Sequence, residues 1–478
     1  MTQPSPETDF DIQRSRATEP LFYDAPRPST VLPKQYQLAG VEYALARDNM
    51  LFGDAPGLGK TAECIMLGNA IEAKRTLVVC PASLRLNWER EIWAWSTIPD
   101  VTTYPVLKSK DGVSPDHNYV IISYALLTNP SVLNAIMDLR WDHLILDEAH
   151  ALKDPKGNKR TRVLCAPDLI PSVVGRITMA SGTILPNQPI ECYNALRLLN
   201  WDAIDRMSLR AFRNYFYELG SGFVTIRGRV QWSNRVRNVP CNLDELQFRL
   251  RKNIMIRRVK EQVLHELPAK QWHLFPLELT AGIRKALKHP GWAEAEKLYE
   301  MDADSFISGV PVDGAVATAR RELGEAKAPS IADYVEQMLL EGVYKIVVAA
   351  WHHSVLDLLK ERLSKHGLVY MDGSTSAARK QEVVDQFQTD EDIHIILGQM
   401  LPLGEGWTLA KAQDVVLSEP DWVPGKNDQM LDRIHRIGQE GDYILGHVPV
   451  VPDTLDERIL STAIAKDQNI YRALDEAL

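Results

Sequence analysis

The sequence predicts an α/β protein made of two doubly wound parallel-sheet lobes with a helical insertion between them. Two observations carry that prediction. Short apolar runs alternate with helical patterns over residues 31–200, lose that alternation over 201–330, and regain it over 331–478. At 478 residues and 45% hydrophobic, the chain also holds enough apolar material for more than one large core.

Taken in order, residues 1–30 are rich in Pro, Ser, Thr and charge with little periodicity, which predicts a loosely ordered arm. In the first lobe, "TLVVCPA" at 76–82, "YVIISYA" at 119–125, "HLILDEA" at 143–149 and "RITMASGT" at 176–183 are runs of the buried-strand type. Stretches of ten or more residues with helical periodicity separate them, as crossovers between parallel strands require. The middle region reads as helical, with one hairpin around "SGFVTIRGRVQWS". Between Arg206 and Lys270 it holds 14 Lys plus Arg against 5 Asp plus Glu, a local balance of +9 in a chain whose total is −9. Such a charge suits either a solvated helical face or contact with a polyanion. In the second lobe a helix through "IADYVEQMLLEG" precedes "YKIVVAAW", "HIIL", "DVVLS" and "YILGHVPV". Ligands of such sheets bind at the carboxyl ends of the strands.

Composition narrows the function classes. The five cysteines are scattered with no Cys-x-x-Cys pair, so neither a zinc site nor a disulfide framework is expected, and a reducing compartment is. The first twenty residues lack the apolar core of a signal peptide, and no run of eighteen apolar residues occurs. A cytoplasmic protein without membrane attachment is the expectation.

Three motifs carry chemistry. In "DAPGLGKT" at 54–61, Gly57 and Gly59 let the backbone wrap phosphate oxygens, Lys60 supplies a cation at a helix N-terminus, and the Thr61 hydroxyl suits Mg²⁺. Asp54 stands where the strict phosphate-loop pattern has glycine. In "LILDEAH" at 144–150, a strand ends in adjacent carboxylates, Asp147 to hold Mg²⁺ and Glu148 to orient and deprotonate an attacking water. Far away, "QMLDRIHRIGQ" at 429–439 sets Arg433 and Arg436 three apart, as neighbours on one helix face, suited to the charge developing on a γ-phosphate. Paired arginines also occur on ordinary surface helices.

Together with "VVCPASLRLNWERE" and "ASGTILPN", and in this order, the motifs resemble those of a superfamily-two helicase core. "GLGKT", "MIRRVKEQVLHELPAK" at 255–270, "MDGSTSAARKQEVVDQFQ" at 371–388 and "DRIHRIGQ" narrow the resemblance to the Swi/Snf-type ATPases. "GEGWTLAKAQDVVLSEPDWVPG" at 404–425 is similar to the annealing-helicase or fork-remodelling branch. Many family members carry Gly-Leu-Asn where this chain has Gly406, Trp407 and Thr408.

The resemblance implies two RecA-like lobes, with Tyr36 and Gln37 at the adenine-reading position and ATP and Mg²⁺ as substrate and cofactor. It further implies that the arginines lie on the other lobe from Lys60, so that turnover demands lobe closure, and that His150 and the Ser-Gly-Thr at 181–183 couple nucleotide to that closure. The expected activity is ATP hydrolysis driving translocation on double-stranded DNA, mostly independent of sequence, by a monomer with an unknown recruiting protein. A strand-separating DNA or RNA helicase, or an ATP-binding scaffold that moves on nothing, remains open. Expected DNA contacts are Ser83 in the first lobe, Ser374 and Thr375 in the second, and Arg251, Lys252 and Arg257 in the basic region. So bare a motor suggests a bacterial or viral source; a eukaryotic one would place it in the nucleus.

Overall fold

A computed structural model describes residues 6–461 apart from 155–156, 183–188, 227–228, 265, 302–313, 405 and 422–423. The chain divides into two units, the first comprising residues 1–220 and 237–265, the second 221–236 and 266–478.

The first unit is built on a seven-stranded sheet. Its strands are β1 (Met50–Phe52), β2 (Thr76–Cys80), β3 (Thr103–Pro105), β4 (Tyr119–Ser123), β5 (Trp141–Asp147), β6 (Val174–Ala180) and β9 (Met255–Ile256), in the order β3-β4-β2-β5-β6-β1-β9. Every pairing is parallel. Alternate residues of one strand feed opposite cores: Leu77 and Val79 join one apolar cluster, Val78 and Cys80 the other. With helices on both faces, these strands have no polar side to show, hence their continuous apolar runs. One register row matters most. Asp147 of β5 pairs Ala180 of β6, which pairs Phe52 of β1, which pairs Ile256 of β9. Four carboxyl ends therefore finish level and side by side.

In the second unit, β10 (Lys270–Pro276), β11 (Ile346–Ala350), β12 (Leu368–Met371), β13 (Ile395–Gln399), β14 (Asp414–Leu417) and β15 (Ile444–Val450) form a parallel sheet in the order β10-β15-β14-β11-β13-β12. A 27-residue helix, Gly314–Leu340, packs Val316, Leu323, Ile331 and Val335 into this unit's core. It continues through Pro329, and Lys327 at its centre is buried against Asp456.

Two expectations of organisation differ from the fold. Of the expected loose arm at 1–30, the described residues 6–30 are anchored: Pro6–Arg14 is a helix, Ser15 is fully buried, Arg14 pairs with Glu42 and Arg47 with Asp11, and the Arg257 main-chain N–H donates to Ser15 O at 3.0 Å. Polar anchors, invisible to a search for apolar period, hold it. Nor does 201–330 form a helical body of its own, since the first unit takes it up to 265 apart from 221–236, and the second unit takes those residues and 266 onward. Strand β10 escaped a search for apolar runs because it lies at the sheet edge and alternates half-buried with exposed residues. The hairpin read around "SGFVTIRGRVQWS" is present as a separate two-stranded sheet, β7 (Tyr217–Ile226) with β8 (Arg229–Pro240).

Candidate functional site

The loop from Gly53 to Gly59 leaves the end of β1 and opens the helix Lys60–Ala70. Gly57 and Gly59 take φ of 88° and 81°, left-handed conformations that glycine adopts without strain. At Gly59 a Cβ would also lie 2.3 Å from the Gln37 amide nitrogen. Lys60 folds back over its own loop, its Nζ donating to Asp54 O at 2.7 Å and Ala55 O at 3.2 Å. Tyr36 and Gln37 are buried, and both donate to Leu58 O, at 3.0 and 3.1 Å, while the Gln37 carbonyl accepts the Lys34 N–H. Both residues therefore buttress the phosphate loop itself.

The neighbouring strand end supplies the carboxylates. Asp147 Oδ2 accepts the Trp88 indole N–H at 2.8 Å, Oδ1 accepts the Glu148 N–H at 2.9 Å, and the Asp147 carbonyl accepts the Tyr124 hydroxyl. Burial, then the adjacent Glu148 charge, push the Asp147 carboxyl up to about 6, against the opposing pull of Trp88 and Lys60. Glu148 sits in left-handed backbone, φ 49°, an unfavourable conformation for a residue with a Cβ and one that recurs at functional sites. His150 Nδ1 lies 3.2 Å from Glu148 Oε2. A buried carboxylate that resists ionisation beside a cation-bearing, glycine-lined anion cradle fits a divalent ion on a phosphate; Asp147 and Thr61 would hold it.

From the next two strand ends come contacts that the motifs alone did not disclose. After β9, Arg257 donates to Gly53 O at 2.7 Å and Gly182 O at 3.0 Å, tying the approach to the phosphate loop to the end of β6. Gly182 has to be glycine, because a Cβ there would meet Pro56 Cδ of the loop at 2.7 Å. Arg258, Asp54 and Glu63 form an ion triad with no exposure at all. An acid at a glycine position was the available signal, since a buried carboxylate requires a cationic partner. Trp88 stood within a quoted motif, but nothing in the sequence tied it to Asp147.

In the second unit, Arg433 belongs to the helix Pro424–Ile434 and is buried, its Nε donating to Gln429 O. Arg436 stands two residues past that helix, so the pair does not share a regular helix face. Its guanidinium donates to Gly406 O at 3.1 Å and Thr408 Oγ1 at 3.2 Å. The unusual Thr408 is thus an acceptor for Arg436.

The expected nucleic-acid contacts fare unevenly. Ser83 is buried, its hydroxyl sealed from solvent, so it offers no surface donor. Arg251 and Arg257 are 3% and 6% exposed, with guanidinium groups on backbone carbonyls, and so present no charge at the surface for DNA. The basic count of that segment therefore overstates its surface charge. Lys252 is half-buried, its Nζ 5.9 Å from the Phe248 ring centroid. Ser374 and Thr375 lie on an open turn, but both hydroxyls donate to Asp372 Oδ1. Burial raises that carboxyl, and hydrogen bonds from Ser374, Tyr370 and Thr375 outweigh it and draw it down to about 2. Thr183, with the segment through 188, and Trp422 lie outside the described residues.

Residues 36–313 match the SNF2-related domain, and 330–438 match the helicase conserved C-terminal domain. The chain is 30% identical over 442 residues to the Xenopus tropicalis SWI/SNF-related matrix-associated actin-dependent regulator of chromatin subfamily A-like protein 1, covering 91% of this chain and 44% of that one. It is 29% identical to the mouse DNA annealing helicase and endonuclease ZRANB3, covering 88% and 39%. The chain thus spans less than half the length of these relatives. They are animal proteins and lend no support to a bacterial or viral source. A Sulfolobus solfataricus SWI2/SNF2 ATPase core in complex with dsDNA aligns over 95% of this chain and 96% of its own, at 19% identity and a TM-score of 0.44.

Proposed function

The chain belongs to the SNF2-related family of helicase-like ATPases, and from that premise we propose that it hydrolyses ATP to drive translocation along double-stranded DNA, remodelling junctions or protein–DNA complexes. The observation that carries this is the level row of strand ends, which gathers the phosphate loop, Asp147 with Glu148, and Gly182 at one edge of a single sheet.

In this reading the N–H groups of the loop and the Lys60 ammonium, released from its loop carbonyls, hold the β- and γ-phosphates. Tyr36 and Gln37 support the loop through Leu58 O, and reading adenine would require the Gln37 amide to leave that contact. Glu148, oriented by its left-handed backbone and by His150, takes a proton from the attacking water. Mg²⁺, held by Thr61 and Asp147, would neutralise charge on the triphosphate. Arg433 and Arg436 are the residues assigned to the charge that grows on the γ-phosphate.

The test is ATPase rate with intact duplex, single-stranded DNA and RNA. Strong stimulation by duplex is expected. Stimulation by single strands or RNA without duplex would replace this reading with a strand-separating helicase. An indifferent rate would leave an ATPase that moves on nothing.

A further inference from the structure

Residues 255–270, "MIRRVKEQVLHELPAK", begin on β9 of the first unit and end on β10 of the second. Toward each end a cation is held between two carboxylates. We propose that Arg258 and Lys270 are positioning residues through which this one segment sets both the phosphate loop and the arginine-bearing helix. The inference rests on the ATPase reading above.

At the first end, Arg258 Nε donates to Asp54 Oδ1 at 3.0 Å and Oδ2 at 3.1 Å, and Nη2 to Asp54 and to Glu63 Oε1, the latter at 2.6 Å. Nη1 reaches Tyr36 O and Ala17 O. The main chain adds a reciprocal pair: Arg258 N–H to Asp54 Oδ1 at 2.9 Å, and Ala55 N–H to Arg258 O at 2.9 Å. One side chain thus touches the residue that opens the phosphate loop, the helix that follows it, and the helix that carries Tyr36 and Gln37. Room is kept for it by Gly40, where a Cβ would come within 2.1 Å of Glu63 Oε1 and 2.9 Å of Arg258 Nη2.

Asp54 and Glu63 flank the place where a polyphosphate must bind. Two buried carboxylates there would repel it; the guanidinium offsets one charge while fixing the loop, and burial with the neighbouring Asp54 charge pushes the Glu63 carboxyl well up, towards its neutral form. Only a planar fork can bridge both acids and the carbonyls together, so lysine is a poor replacement.

At the second end, Lys270 Nζ lies 2.8 and 2.7 Å from the Asp428 oxygens and 3.3 Å from Asp432 Oδ1. Both acids belong to the helix that carries Arg433, and Asp432 O accepts Arg436 Nε at 2.9 Å. Holding Asp432 therefore holds the residue from which Arg436 hangs.

The two ends should separate kinetically. Full-length chain is assayed for ATP hydrolysis at saturating duplex DNA, with circular dichroism and thermal melting as controls. In Arg258→Met combined with Asp54→Asn and Glu63→Gln, no charge is left buried alone. That variant should melt near the parent, yet raise KM for ATP by roughly tenfold with kcat within about threefold. Arg258→Lys should raise KM by about threefold or more. Lys270→Met with Asp428→Asn should lower kcat by roughly tenfold with KM held.

Parental KM and kcat in these folded variants would overturn the proposal. Should the triple variant fail to fold, Arg258→Lys decides the first end: an unchanged KM overturns it, a raised KM with native melting supports it. If the unsubstituted chain shows no ATP hydrolysis that depends on Lys60, the ATPase reading fails first and takes the proposal with it. Turnover by the parent with unmoved variants sinks the proposal alone.

Discussion

At the scale of single residues, the proposed ATPase reading divides binding from chemistry between Lys60 and Glu148. Lys60→Ala removes the loop's own lysine and is expected to abolish ATP binding at working concentrations, read by calorimetric titration. Glu148→Gln keeps the shape but loses the base, so ATP should bind with affinity close to the parent's while hydrolysis falls by about 10²-fold or more in single-turnover assays. Asp147 sets a pH dependence. Its carboxyl titrates near 6 instead of the ordinary 3.8, so between those values the folded protein keeps a proton that the unfolded chain has released. Stability without ligand therefore declines as pH rises through that window. Mg²⁺ must displace the same proton, so its apparent affinity in ATP hydrolysis should fall about tenfold per unit below pH 6 and level off above it. Asp147→Asn should abolish the slope; a parental slope in that variant would assign the titration to another group.

At the scale of elements, the strand ends are locked together by close approach. Gly182→Ala drives a methyl against Pro56, and overpacking of this kind costs about 1–3 kcal/mol. Because the clash falls on the phosphate loop, thermal melting should drop while KM for ATP rises. Arg251 shows how a charge count misleads. Its buried guanidinium holds Ser15 O and Arg257 O, and the Tyr43 hydroxyl donates to the Arg251 main-chain carbonyl, so Arg251→Ala should lower stability by about 2–4 kcal/mol and leave the salt dependence of DNA binding unaltered. A flattened salt slope with native stability would return Arg251 to the DNA surface. Apolar period revealed β2, β4, β5, β6, β11, β13, β14 and β15 because each is buried on both sides. Strands β1, β3, β9, β10 and β12 were hidden: β1, β3 and β9 have three residues or fewer, and all but β1 lie at a sheet edge.

At the scale of the whole molecule, no helix among the described residues is long and apolar enough to cross a membrane. The net charge of −9 does not prevent phosphate binding, because contacts with DNA are local and each released counterion adds to the salt slope. Duplex-stimulated ATPase should therefore weaken log-linearly with salt, measured as the DNA concentration for half-stimulation across a salt series. Two parallel-sheet lobes were legible in the residues alone, as were the glycine turn that leads from β1 into the helix at Lys60 and the strand that ends at Asp147. Buried strands must be continuously apolar, and phosphate chemistry restricts its residues to short, ordered patterns. Which charges are surface and which are core depends on long-range packing. Arg251, Arg257 and Arg258 look alike along the chain, yet all three point inward, and Arg258 meets Asp54 from 204 residues away. A pairing of that range leaves no periodicity for a local reading to find. It shows only as an acid standing where the loop pattern has glycine.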